Sequence, residues 1–215
     1  MDSKEIITNL KGTILNNGTI YEENGTIYKE IEDLTKILNE IGSSVRAESP
    51  YQLLEKLKRA PIEGNGRYNE CSWFEAANRI MTDLVILYGV KYLLDGKHND
   101  KGADFYFKEY VVELGNKNEN LHDIMAVEND KISLIGEAFN VATSLFNSKK
   151  RKSLDKLIKS AEELGNNPIK ILIYNSDAGK PEPKENEYHI TVKIEVDNQE
   201  IKAECDIHGS NLTPN

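Results

Sequence analysis

The chain has 215 residues and a formal net charge of −9, with 39% hydrophobic and 29% charged residues. This composition is typical of a soluble globular domain, and the net acidity argues against a protein that coats nucleic acid by bulk attraction, though not against a local basic surface. Two cysteines are too few for a disulfide framework or a zinc site, and no apolar run is long enough to span a bilayer. Because the N-terminal residues lack the pattern of a signal peptide, we expect a cytoplasmic protein with no membrane partner.

The predicted elements begin with a strand-rich segment. Residues 1–28 repeat the theme KGTIL, NGTIY, NGTIY, in which Asn-Gly favours turns and Thr-Ile-Tyr favours strands. The apolar spacing predicts a helix over about 29–41, and the Ser-Pro pair at 49–50 opens a second helix. PIEGNGRYNE at 61–70 is typical of a loop, so residues 1–70 form an N-terminal elaboration.

The central part of the chain, residues 71–177, alternates between helical and strand patterns. We predict, in chain order, a helix over about 73–94, a strand within 103–115, strands over about 121–127 and 131–138, a helix over about 148–164 and a buried strand from 169. This order is αβββαβ, in a fold of the mixed α/β (α+β) class. Residues 178–215 begin with the linker AGKPEPKENE, and the tail YHITVKIEVDNQEIKAECDI then alternates apolar and polar types. This alternation predicts a C-terminal β-hairpin that completes a single domain over 1–215.

Two of the predicted strands carry an acidic residue inside an apolar run. Asp123 lies in LHDIMAV on the second strand, and Glu137 lies in ISLIGEAF on the third. An unpaired buried carboxylate is costly, so such a group is usually paired, hydrogen-bonded or bound to a metal. Adjacent antiparallel strands lie ~4.7–4.9 Å apart, so the two carboxylates can converge on one ion if they share a face of the sheet.

The αβββαβ order, the acid on the second strand and Gly-Glu-Ala on the third resemble the PD-(D/E)xK nuclease superfamily, most of all the restriction endonucleases. The resemblance spans about 73–176 and implies a restriction endonuclease-like core. It also implies Mg²⁺ held by Asp123, Glu137 and the Ala138 carbonyl oxygen, and hydrolysis of phosphodiester bonds at a specific site in double-stranded DNA. Enzymes of this kind commonly act as homodimers, so a homodimer is expected.

Two positions depart from the family's pattern. His122 stands where the family usually has Pro, and Phe139 stands where the family has the Lys that positions the attacking water. Phe can neither orient water nor stabilise an anion. In some family members this Lys lies on the following helix, so we predict that Lys149 or Lys150 supplies the cation. Phe139→Lys is expected to raise activity if the site is merely weakened, whereas no change would mean that the cation already comes from elsewhere.

The same helix carries the densest basic stretch of the chain, SKKRKSLDKLIK. In an acidic chain such a cluster indicates either a solvated helix face or a surface that contacts phosphates. On the second interpretation, the contacts to DNA come from Lys149, Lys150, Arg151, Lys152 and Lys156.

Further acids offer alternatives to this site. Glu75 resembles the acid that many family members place on the first helix near the metal, but Ser72 and Glu75 also fit a capping box, which we favour. Asp104, followed by Glu113 and Lys117, forms a second nuclease-like pattern. We rank it lower because it leaves the third-strand acid unexplained.

Two other functions fit particular features of the sequence. Phe139 fits a catalytically impaired, nuclease-like protein that binds DNA or regulates without cutting. The net acidity fits an interaction module with no role on DNA.

Overall fold

The computed structural model describes residues 19–22, 27–44, 49–61, 68, 71–115, 121–197, 200–210 and 212. Within these ranges the chain forms a mixed α/β fold of one seven-stranded sheet and four α-helices. The helices are α1 (Ile27–Ser44), α2 (Pro50–Arg59), α3 (Trp73–Leu94) and α4 (Thr143–Leu164). The strands are β1 (Thr19–Glu22), β2 (Glu109–Val112), β3 (Ile124–Glu128), β4 (Lys131–Phe139), β5 (Ile169–Asn175), β6 (Glu187–Asp197) and β7 (Glu200–Gly209).

The strands follow chain order across the sheet. β1 to β4 form an antiparallel meander, β5 and β6 add in parallel, and β7 returns antiparallel to β6. The parallel pairing of β4 with β5 requires a crossover, which α4 provides. The predicted αβββαβ order is therefore present from α3 to β5, and the predicted C-terminal hairpin is β6–β7.

Helices cover both faces of the sheet. Because neighbouring residues of a strand project to opposite faces, each central strand supplies two cores. The core on the α3 face includes Leu84, Leu87, Ile124, Leu134, Ile171 and Ile190. The core on the α4 face includes Met125, Ile135, Phe139, Phe146, Leu157, Leu172 and Tyr174.

The first central strand is shorter than the predicted segment at 103–115. Pairing is confined to Glu109–Val112, and the apolar residues before it pack as a loop. Phe105 contacts Tyr188 with ring centroids 5.0 Å apart, and Phe107 is buried. The alternating burial of this segment comes from packing across the end of the sheet, which sequence periodicity does not distinguish from strand pairing.

Helix α4 begins earlier than predicted. It starts at Thr143 instead of near 148, because Phe146 in its first turn already packs edge-on against Tyr174. Helix α3, in contrast, has the predicted bounds, and the Ser72 hydroxyl accepts a hydrogen bond from the Glu75 N–H at 3.3 Å, as a capping residue does.

Some predictions concern residues outside the described ranges. These are the N-terminal repeats other than Thr19–Glu22 and Ile27–Tyr28, most of the predicted loop at 61–70 and the hairpin turn at 198–199. The strand expected at the end of the third repeat is wrong, because Ile27 and Tyr28 form the first turn of α1 and Ile27 is buried in the core. Among the helices that the structure describes, none has the length and apolar character needed to cross a membrane.

Candidate active site

Asp123, directly before β3, lies across from Glu137 in β4 at one end of the β3–β4 pair. Ile124 pairs with Gly136, so the preceding Asp123 stands across from Glu137. The Ala138 N–H donates to Asp123 Oδ2 at 2.8 Å, which fixes the Asp123 side chain against β4. The structure therefore brings together the two carboxylates that the sequence singled out, on the face of the sheet covered by α4.

Glu137 is held by two nitrogen groups. His122 Nδ1 lies 3.0 Å from Glu137 Oε1, and Lys156 Nζ lies 2.6 Å from the same oxygen. The His122 and Glu137 side chains are buried, with 1% and 7% exposure, whereas 42% of the Lys156 side chain is exposed. Glu137 Oε1 thus has one buried nitrogen partner and one partner that reaches it from the surface.

The carboxyl group of Asp123 has a raised pKa. Burial and, next, the neighbouring charge of Glu137 raise the pKa of Asp123 from 3.8 to about 7, although the Ala138 N–H, Lys156 and Lys149 act in the opposite direction. Two carboxylates that share a poorly solvated site repel each other, so ionising both is unfavourable unless a cation joins them.

The donor atoms of this pair suit a hard divalent cation. Mg²⁺ takes oxygen ligands and keeps several waters, so two carboxylates are a sufficient protein contribution. Among the described residues, no group of three or more His, Cys, Asp or Glu side chains is arranged around a common metal position. The Ala138 carbonyl as a third ligand stays a prediction.

Phe139 is unable to serve the role of the motif Lys. Its side chain is 2% exposed and stacks on Tyr174, with centroids 5.4 Å apart and planes at 8°. It belongs to the apolar core under α4, although it follows Glu137 by two residues and shares its face of the strand.

The cation that reaches the carboxylates comes from α4, at a different position from the predicted one. Lys156 contacts Glu137, while Lys150 lies 3.5 Å from Glu182 and 5.8 Å from the centre of the Phe146 ring. Lys149 is close enough to lower the pKa of Asp123. Of the two predicted cations, Lys150 is therefore directed elsewhere. Lys149 and Lys156 are seven residues apart, about two helical turns, so the sequence places them on the same side of the helix but does not show which of them reaches Glu137.

The basic residues of α4 lie on two sides of the helix. At 3.6 residues per turn, Lys149, Lys152, Lys156 and Lys159 share one flank, here called the basic stripe. All four are exposed, and the stripe includes the lysine that contacts Glu137. Arg151 is exposed on the other flank, so the predicted phosphate-contacting group of five is divided by the helical geometry.

The acids that the sequence offered as alternatives, Glu75, Asp104 and Glu113, lie in three different parts of the fold. Glu75 is half-exposed and pairs with Arg79 in the next turn of α3, in addition to its capping position. Asp104 is exposed in the loop before β2, and Lys117 lies outside the described residues. Glu113 is buried directly after β2, and its N–H donates to the Asp123 carbonyl at 2.9 Å, so its backbone lies beside that of Asp123.

Comparison of the chain with known protein families, curated proteins and solved structures gave no match. The resemblance to the PD-(D/E)xK nucleases is therefore a prediction from the chain's own residues. The arguments about function below rest on the geometry of the Asp123–Glu137 pair and its neighbours.

Proposed function

We propose that this protein is a Mg²⁺-dependent endonuclease with a restriction endonuclease-like core, acting on double-stranded DNA as a homodimer. The observation that carries the proposal is the group formed by Asp123, Glu137 and Lys156 at one end of β3 and β4. Two carboxylates and an amino group are the functional set of the PD-(D/E)xK motif, here with the amino group supplied by a helix.

Each residue of the group has a distinct role in the proposed reaction. Asp123 and Glu137 would hold Mg²⁺, which when bound polarises a phosphoryl oxygen and lowers the pKa of a coordinated water. The Lys156 ammonium, with three N–H donors, orients the attacking water or a phosphate oxygen beside the carboxylates. Because the Lys156 side chain is partly exposed, its ammonium can leave Glu137 and bind the water or the phosphate oxygen instead.

The basic stripe supports DNA as the substrate. Lysines at 149, 152, 156 and 159 present a row of ammonium groups on an otherwise acidic protein. Phosphate contacts of this kind position a duplex without reading its sequence. Because Lys156 belongs both to the stripe and to the carboxylate group, a backbone bound along α4 lies next to the proposed reaction centre.

One observation favours a second candidate, a nuclease-like DNA-binding protein without activity. Glu137 Oε1 already lies 3.0 Å from His122 Nδ1 and pairs with the Lys156 ammonium, so the residue has a cationic partner in the absence of a metal. If Lys156 never leaves this oxygen, the site is a structural ion pair and the basic stripe alone is functional.

A plasmid-cleavage assay tests the proposal. We expect conversion of supercoiled DNA in Mg²⁺, and loss of conversion with EDTA or with Asp123→Asn. Glu128→Gln, an exposed acid at the far end of β3, is the matched control and should retain activity. Binding of DNA without cleavage supports the second candidate. Failure to bind DNA at low salt supports an interaction module instead.

A further inference from the structure

We propose that His122 is a positioning residue that holds Glu137 in place by donating its Nδ1 proton to Glu137 Oε1. This inference rests on the proposed function, because it assigns His122 a part in preparing Glu137 for Mg²⁺. It also gives a role to a residue that stands where the related motif usually has Pro.

The two donors on Glu137 differ in how firmly they are held. Both contact the same oxygen, His122 Nδ1 at 3.0 Å and Lys156 Nζ at 2.6 Å. The imidazole is 1% exposed on the segment that leads into β3, whereas the lysine is 42% exposed on a flexible stem. When Lys156 moves to water or phosphate, His122 remains to keep the Glu137 side chain directed at the site.

The contact specifies which nitrogen of His122 carries the proton. An ionised carboxylate accepts hydrogen bonds and cannot donate them, and the ammonium of Lys156 on the same oxygen favours the ionised form. The Nδ1 atom must therefore be the donor. Nε2 is buried with no hydrogen-bond partner among the described residues, which agrees with an imidazole protonated at Nδ1.

Two amide substitutions of His122 test which of its ring nitrogens contacts Glu137. In His122→Asn the amide nitrogen can occupy the position of Nδ1, whereas in His122→Gln it reaches towards the position of Nε2. We expect the Asn variant to cleave DNA at close to the wild-type rate, and the Gln variant to lose activity by about 10- to 100-fold, as is usual when a residue that orients a metal ligand is removed. Thermal denaturation checks that both variants fold.

Two measurements do not depend on cleavage. Nitrogen-15 NMR of the histidine rings should show His122 protonated at Nδ1 and not at Nε2. Calorimetry with Ca²⁺ should show weaker binding for the Gln variant than for the Asn variant. Equal effects of the two substitutions, or a proton on Nε2, overturn the inference.

The outcomes also separate this inference from the proposed function. If the wild-type protein cleaves DNA but the Asn and Gln variants behave alike, the nuclease proposal stands and the role of His122 is wrong. If the wild-type protein does not cleave DNA, the nuclease proposal fails, and the NMR result still decides whether His122 donates to Glu137.

Discussion

Lys156 Nζ lies 2.6 Å from Glu137 Oε1, so helix α4 supplies the amino group that β4 lacks at Phe139. The contact joins the proposed reaction centre to the basic stripe. It also makes the site sensitive to any change that moves α4 relative to β4.

Lys156→Met should remove most of the cleavage activity. Methionine keeps the length of the side chain but has no N–H donor or charge, so we expect a decrease on the order of 10²–10³-fold in the single-turnover rate. Lys159→Met removes a neighbouring charge of the same stripe and should change the rate by less than about 10-fold. Normal activity of Lys156→Met with loss in Lys149→Met would instead identify Lys149 as the cation.

Phe139→Lys should destabilise the protein, contrary to the gain in activity expected from the motif. The substitution places an ammonium in the aromatic cluster with Phe146 and Tyr174, where Phe139 is 2% exposed. We expect a loss of roughly 3 kcal/mol or more in the free energy of unfolding by urea denaturation, against about 1 kcal/mol for Phe139→Leu. A stable and more active Phe139→Lys protein would restore the original expectation.

The stability of the metal-free protein should fall as pH rises through the range in which Asp123 titrates. Between the ordinary pKa of 3.8 and the raised pKa of about 7, the folded protein keeps a proton on Asp123 that the unfolded chain has released. The free energy of unfolding therefore decreases with pH over this interval. Asp123→Asn should gain on the order of 1–3 kcal/mol relative to wild type between pH 4 and pH 7, measured by urea denaturation in EDTA. A constant difference across this interval contradicts the assignment.

Binding of duplex DNA should depend on salt through the basic stripe. Lys152→Gln and Lys159→Gln should each reduce the slope of log affinity against log salt by about 1, measured by fluorescence anisotropy with Ca²⁺ to prevent cleavage. Lys131→Gln changes an exposed lysine at the opposite end of β4 and should leave the slope unaltered. Equal slopes in all the variants would exclude the stripe as the DNA surface.

Gly89→Ala should disturb the packing of α3 on the sheet. A Cβ atom at Gly89 would lie 2.6 Å from Ile173 Cγ2, and Ile173 is fully buried in β5. We expect a loss of about 1–3 kcal/mol, although alanine favours helix more than glycine does. In the double variant with Ile173→Ala, the effect of the glycine substitution should largely disappear, which a double-mutant cycle measures.

Local patterns were sufficient for much of the architecture. The bounds of α3, the presence of β3 and β4 and the C-terminal hairpin follow from apolar periodicity, a capping serine and turn residues, all of which act over a few residues. The strand predicted from 121 begins only at Ile124, so Asp123 precedes it. Within the predicted segment at 103–115 only Glu109–Val112 forms a strand, because the alternation around Phe105 comes from burial across the end of the sheet.

The sequence by itself determined that two acids are carried by neighbouring segments of a mixed α/β fold, Glu137 in β4 and Asp123 directly before β3, since the two-residue turn between these strands and the alternation of side chains are local properties. The tertiary structure alone decided that Lys156 completes their group, that Lys150 turns to Glu182, and that His122 contacts the same oxygen as Lys156. Those choices depend on how α4 is rotated and where it crosses β4. The rotation is set by the apolar residues packed beneath the helix. The residues that flank a lysine in the chain therefore do not show which side chain of the sheet that lysine contacts.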